Sequence, residues 1–361
     1  MLAVLRYLGR GWTIDDLEEN TAINSETIRV FISKFIEFGS TSLYEKYVSE
    51  PATSSAVHDC EREFLLAGFP GCIGSTDASN VVTERCPTRL RQLHLGYKLA
   101  HTARTYNISV NHRKSILSST SGHPARFNDK TLAIYDAFMM KLKNGYFTDK
   151  HEFELYDFDI DMNIITIKYK GCYVIVDNGY LSWSTTVPPI KSTCHRAEIR
   201  FSEWLESIRK DVECVFGILK GRWRILKYGI RLHGIVKADR VWLTCCALHN
   251  MLLDMDGLSD YWGSEKERET SFATRRLNNP SSSRAVDLSS VDLSSMGVGN
   301  DCVRSRSPVN CASGRSFTPN ADGSINVVDL SLDEFRSRLV RHFNIAFQKK
   351  EIKWPKRKRH D

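Results

Sequence analysis

Asp77 and Asp177 each follow an apolar, strand-like run, Cys72–Ile73 in GCIGSTDASN and Tyr173–Val176 in GCYVIVDNGY. Glu213 lies instead on a helical stretch, DVECVFGILKGRWRIL. A chain that sets two strand-end carboxylates against one from a helix is an α/β protein. From about residue 60 to 262 its pattern does alternate between strand-like and helix-like runs. Two strand-end carboxylates plus one from a helix is also how a protein holds paired divalent metals against a phosphodiester.

Cutting and joining DNA strands requires the attacking and departing oxygens to be stabilised together, which two Mg²⁺ or Mn²⁺ ions about 3.5–4 Å apart accomplish. Mg²⁺ takes hard oxygen ligands and keeps several waters, so a few carboxylates suffice. Three clustered carboxylates without metal raise one another's pKa, and bound cations reverse that effect. Lys220, Arg222, Arg224 and Lys227 follow Glu213 within four helical turns and are the cations expected to neutralise DNA phosphates. Trp223, among them, has two readings: a base-stacking side chain or an ordinary core residue. Arg104, His112, Arg113 and Lys114 flank strand ends and read either as DNA contacts or as mobile surface charge.

The net charge of +7 calls for an anionic partner without naming one, and its excess is local, at 220–227 and in the last dozen residues. Ten cysteines in 361 residues, with no signal peptide and no CxxC pair, read as reduced thiols of a nucleo-cytoplasmic protein. Cys246 and His249 lie at i, i+3, but without a second pair at ligand spacing they read as core rather than zinc ligands. No apolar stretch approaches the roughly 18 residues of a membrane span.

Four regions are expected. Residues 1–55 form a helix-turn-helix region: Thr13 and Asp16 make a capping-box start for DDLEEN, and Asn24 precedes a second helix. Ile28, Phe31, Ile32, Phe35 and Ile36 form one buried stripe on that helix, leaving Arg29 and Lys34 for DNA. A plain helical hairpin fits the same spacing. Leu2, Leu5 and Leu8 resemble the remnant of a preceding helix, so upstream sequence is expected to be missing. Residues 56–262 form the catalytic domain, with strands at Gly71–Ser75, Leu95–His101, Tyr106–Asn111, Lys114–Ser119, Ile164–Tyr169 and Tyr173–Asp177. Its helices are Lys130–Leu142, capped by Asp129 and stopped by Asn144–Gly145, then Trp204–Leu219 and Val241–Leu253. Residues 263–325, with the repeat VDLSS-VDLSS, are a disordered linker by composition. Residues 326–361 hold a helix, Leu330–Phe347, and a basic tail whose Lys356, Arg357, Lys358 and Arg359 suit nuclear import.

The segments GCIGSTDASN, RCPTRLRQLHLGYK, TYNISVNHRKSILSSTSGHPARFNDKTL, VIVDNGY, VECVFGILKGRWRIL and CCALHNML occur in this order. The chain resembles the DDE transposases of the PIF/Harbinger superfamily, plant-transposon-protein type, over roughly residues 60–255. The resemblance implies a ribonuclease-H-like catalytic core, with Asp77, Asp177 and Glu213 as the three metal ligands. Asp177 lies 100 residues after Asp77, and Glu213 a further 36 on. That second interval is shorter than in many relatives, which keeps Glu203 and Glu206 in view as third ligand. Many relatives also follow the first Asp with Gly-Thr and a His, where this chain has Ala78-Ser79-Asn80. Asp129, in the family-like GHPARFNDK with His123, sits near the metals on one reading and caps a helix on the other.

The implied function is Mg²⁺- or Mn²⁺-dependent phosphodiester hydrolysis and strand transfer at transposon ends. The implied partners are double-stranded DNA, a second copy of the chain on that DNA, and the separate Myb-like protein with which family members often act; the implied location is the nucleus. The alternative is a host-recruited or decayed copy that binds DNA or protein without cutting. A structure-selective nuclease unrelated to transposition fits the triad but not the helix-turn-helix.

Overall fold

A computed structural model of the chain describes residues 2–96, 100–259 and 320–355. Five helices open it: α1 Leu2–Arg10, α2 Ile14–Thr21, α3 Ser25–Phe38, α4 Tyr44–Tyr47 and α5 Ser54–Leu66. Local chemistry sets the α2–α3 pair. Thr13 and Asp16 close a reciprocal capping box, Ala22 ends α2 in the left-handed region at φ 52°, and the Asn24 side chain accepts from the Glu26 N–H. Ile28, Ile32 and Ile36 are buried and Phe35 is half-buried, but Phe31 is 44% exposed. The five residues spread over about 140° of helix at 3.6 residues per turn, and Phe31 lies at one edge of that arc.

The central sheet is built from β1 Cys72–Val82, β2 Ala103–Val110, β3 Ile116–Ser119, β4 His123–Pro124, β7 Tyr173–Ile175 and β8 Thr186–Val187. Its order is β3-β2-β1-β7-β8, with β4 also pairing β2. β2 runs antiparallel to both β1 and β3, whereas β7 and β8 run parallel to β1. A second sheet has the order β5-β6-β9, from β5 Glu152–Phe158, β6 Ile164–Lys170 and β9 Ile325–Asn326. The remaining helices are α6 Arg91–His94, α7 Asp129–Tyr135, α8 Ala137–Lys143, α9 Arg196–Arg222, α10 Arg224–Tyr228, α11 Ile235–Met255 and α12 Leu332–Gln348.

Several expected elements are corrected. Leu95–His101 is not a strand across its described residues: Leu95 makes a single bridge to Thr102, and residues 97–99 lie outside the described set. The helix expected over 130–142 is two helices. Asp136 interrupts it, because its carboxylate accepts from the N–H groups of Phe138 and Met139 and so caps a new start. β4, β5 and β8 have no counterpart among the expected strands. Of the linker, 263–319 lies outside the described residues, but Ile325 is in a strand paired with Tyr169.

The N-terminal helices do not stand apart. Val4, Leu8, Leu17, Ile28 and Ile32 belong to one core with Ile108 and Val110 of β2 and Val241 and Trp242 of α11. The approach of α3's end to α11 is close enough that a Cβ on Gly39 would lie 2.4 Å from the Thr244 side chain. Residues 320–355 likewise return to the body, where Phe335, Leu339 and Phe343 pack among Phe69, Phe201 and Trp204.

Candidate active site

β1 and β7 pair in parallel with Ser75 opposite Ile175. Two residues further along each chain come Asp77, inside β1, and Asp177, just past β7. Adjacent strands therefore deliver the two residues to the same end of the β1–β7 pair. Asp77 is paired across β2 with Ile108, whose side chain lies in the core against α9, so the carboxylate shares that face. Each aspartate accepts from the next residue's N–H: Asp77 Oδ1 from Ala78 at 2.8 Å, Asp177 Oδ1 from Asn178 at 2.6 Å.

α9 brings the third carboxylate. Arg209, one turn before Glu213, reaches Glu213 Oε1 with Nη2 at 2.9 Å and lies 3.7 Å from Asp77 Oδ2 through Nη1. Glu213 is thus the helix acid that shares a guanidinium with Asp77. Glu206 lies on the same face about 10 Å earlier along the axis. Burial pushes the Asp77 carboxyl up to about 6; the charges of Asp129 and Asp177 act in the same direction, while the Ala78 N–H and Arg209 oppose.

Asp129 reaches this cleft because Asn128, not Asp129, caps α7: Asn128 Oδ1 accepts from the Thr131 N–H at 2.9 Å. The Asp129 side chain passes so close to Gly179 of the DNGY segment that a Cβ there would lie 2.5 Å from Asp129 Oδ2. Beneath the aspartates, the Tyr180 hydroxyl donates to Asn107 Oδ1, and Asn107 Nδ2 donates to Asp136, each at 2.6 Å. His123 stacks against Phe127 and Tyr135.

The donor set suits Mg²⁺ or Mn²⁺: hard carboxylate oxygens, partly buried, with a surplus of negative charge that a divalent cation would relieve. In this conformation no three acidic, histidine or cysteine side chains among the described residues are arranged to hold a metal ion, and Arg209 stands between Asp77 and Glu213.

The expected DNA-facing cations divide. Lys220 is committed to β1, donating to Ser79 Oγ at 2.8 Å and the Asn80 carbonyl at 3.1 Å, and burial lowers its pKa. Lys220 thereby ties Ser79 and Asn80 of β1 to α9. Arg222 is half-buried with Nη1 3.5 Å from His249 Nδ1, whereas Arg224 and Lys227 are exposed. Trp223 is core, 5% exposed. Arg29 pairs with Glu26 at 2.7 Å, and Lys34 is exposed. α2 contributes Asp15, Asp16, Glu18 and Glu19 and no base, so within this pair α3 alone presents cations.

The four basic residues at strand ends are turned inward onto carboxylates. Arg104 forms a bidentate pair with Asp239 at 2.6 Å, which also takes the Tyr106 hydroxyl at 2.9 Å. Arg113 pairs with Glu63 and Asp59. His112 and Lys114 both meet Asp211 of α9. All four bases are drawn inward by carboxylates on neighbouring helices, a long-range pairing that strand-end position does not reveal.

Residues 76–250 match the family model described as DDE superfamily endonuclease. A curated protein of Arabidopsis thaliana, "Protein ALP1-like", is 22% identical over 260 residues, covering 70% of this chain. The chain spans 59% of that relative's length. No solved structure matches. The matched segment begins at Thr76, one residue before Asp77, and encloses Asp177, Arg209 and Glu213. Over residues 76–250 the chain is therefore similar to the DDE superfamily endonucleases.

Proposed function

We propose that this chain is a DDE transposase of the PIF/Harbinger type with a ribonuclease-H-like core, in which Asp77, Asp177 and Glu213 hold divalent metal. The observation that carries the reading is the meeting of three separate elements: Asp77 within β1, Asp177 just past the paired β7, and Glu213 of α9 tied to Asp77 through one guanidinium. The order β3-β2-β1-β7-β8 supports it: the first Asp lies on the first strand of the sheet, the second just past β7, which is the sheet's fourth strand in chain order once the two-residue β4 is set aside, and the Glu on a later helix.

Bound divalent ions would supply charge stabilisation for the attacking and departing oxygens of a phosphodiester. The chain's own residues do the rest. β1 and β7 fix the two aspartates, their N–H contacts orient the carboxylate planes, and Lys220 anchors the end of β1 to α9. Exposed Arg224 and Lys227 would take the DNA backbone beyond the cleft, and Arg29 and Lys34 of α3 a second stretch of it. The Lys356–Arg359 run, outside the described residues, is the proposed nuclear import signal.

The test is cleavage of end-bearing DNA with Mg²⁺ or Mn²⁺. Asp77→Asn, Asp177→Asn and Glu213→Gln should each lower cleavage at least about a hundredfold, since each removes a group acting on the transition state. DNA binding should change little. Full cleavage by Glu213→Gln would transfer its role to Glu203 or Glu206. A wild-type chain that binds end DNA but leaves it uncut is the non-cutting alternative.

A further inference from the structure

Among the described residues, the ion pairs of the cleft run through Arg209. Its side chain is 14% exposed, against 24% for Asp77 and 47% for Glu213. Its Nε is buried without a hydrogen-bond partner among those residues, so the two carboxylates orient the head group. The guanidinium is a planar, permanently charged fork, suited to spanning two acids at once.

A divalent ion at the same carboxylates needs Asp77 and Glu213 oxygens turned towards one point, at about 2.0–2.1 Å for Mg²⁺. The fork already holds them apart, and two cations sharing one carboxylate repel. Arg209 and Glu213 stand at i, i+4 on a continuous helix, so a side-chain rotation suffices to release the fork while the backbone stays in place.

We propose that Arg209 is a positioning residue that holds Asp77 and Glu213 in the metal-free protein and must yield when the divalent ion binds. It thereby sets the metal concentration at which the centre loads. The inference rests on the metal-centre reading of this site. A chain whose carboxylates are competent only while Arg209 is released binds metal more weakly by the fraction of time it is released.

The experiment is Mn²⁺ binding to the full chain without DNA, followed by calorimetry and by the loss of the free-ion electron paramagnetic resonance signal. Arg209→Gln should lower the Mn²⁺ dissociation constant about tenfold. Arg209→Lys should lower it by less, because one ammonium keeps the charge but cannot span both acids. Metal-free Arg209→Gln should also melt below the wild type, and Mn²⁺ should close the gap. Unchanged or weaker Mn²⁺ binding by Arg209→Gln overturns the proposal. If that variant does not fold, Arg209→Lys decides with the same sign. Arg209→Gln protein that binds Mn²⁺ no better than the same variant carrying Asp77→Asn and Asp177→Asn defeats the metal-centre reading itself, and this one with it.

Discussion

Gly179 shows how tightly the cleft is built. Space rather than backbone conformation requires a glycine there, since a Cβ would stand 2.5 Å from Asp129 Oδ2. Gly179→Ala must displace either the Asp129 carboxylate, the end of a flexible side chain, or the DNGY turn, which carries Asp177. A small overpacking of this kind costs about 1–3 kcal/mol of stability. Cleavage is expected to fall by at least about tenfold, because a misplacement near 1 Å is enough. Denaturant melts beside cleavage rates would check it; wild-type cleavage would show that the Asp129 contact is not needed. The glycine was visible in DNGY, but its reason was not, because Asp129 lies 50 residues earlier in the sequence. Local reasoning made Asp129 a cap, a role that the neighbouring Asn128 fills. Arg209 was hidden for a related reason: one arginine on a charged helix carries no signal until Asp77 is brought beside it.

Elements defined by local chemistry could be read from the sequence: the Thr13/Asp16 capping box, the Asn24 cap and the Asn144–Gly145 stop all depend on residues within one turn. β5 escapes such reading, although Phe153 and Leu155 alternate with Glu152 and Glu154, because its buried face is completed only by α12, which begins 174 residues after β5 ends. That joint contains a titratable group. The Tyr156 N–H donates to His342 Nδ1 at 2.9 Å, and the two rings stack at 5.2 Å. Burial pushes His342 down to about 4, and the positive charge of Lys349 acts in the same direction. The fold therefore holds the neutral ring. Its contribution is complete above the unfolded pKa of about 6.5 and is lost as pH falls towards and through 4. From this group alone, stability at pH 5 should be roughly 2 kcal/mol below that at pH 7. His342→Gln keeps an acceptor for the Tyr156 N–H and should lose less over the same interval. Identical pH dependence in urea melts of the two proteins would rule the joint out as the source.

At the scale of the whole molecule, the regions that composition marks off share their cores. The sequence separates the C-terminal helix from the rest by a Ser-, Asn- and Gly-rich stretch, and composition alone makes that a boundary. Packing does not respect it. Ile325 and Asn326 extend β6, Lys170 pairs with Asp322 at 2.6 Å, and Phe343 lies in contact with Phe69, Phe201 and Trp204. Phe335, Leu339, Phe343 and Ile345 are each at most 1% exposed. At about 1.5–3 kcal/mol for each such side chain, their burial is worth on the order of 8 kcal/mol, comparable to the whole stability of a typical domain. A chain ending at residue 259 keeps all of the segment 76–250 that resembles the endonucleases, together with every proposed metal ligand. It nevertheless leaves Phe69, Phe201 and Trp204 open to water. Such a chain should show no cooperative thermal transition, bind a hydrophobic dye and aggregate, while one ending at residue 355 should melt cooperatively. Restoring residues 320–355 as a separate peptide should recover part of the transition, because the missing contacts are packing contacts and do not depend on the intervening connection. A soluble, cooperatively melting chain of residues 1–259 would instead make the C-terminal helix an accessory, and the catalytic domain would then stand without it.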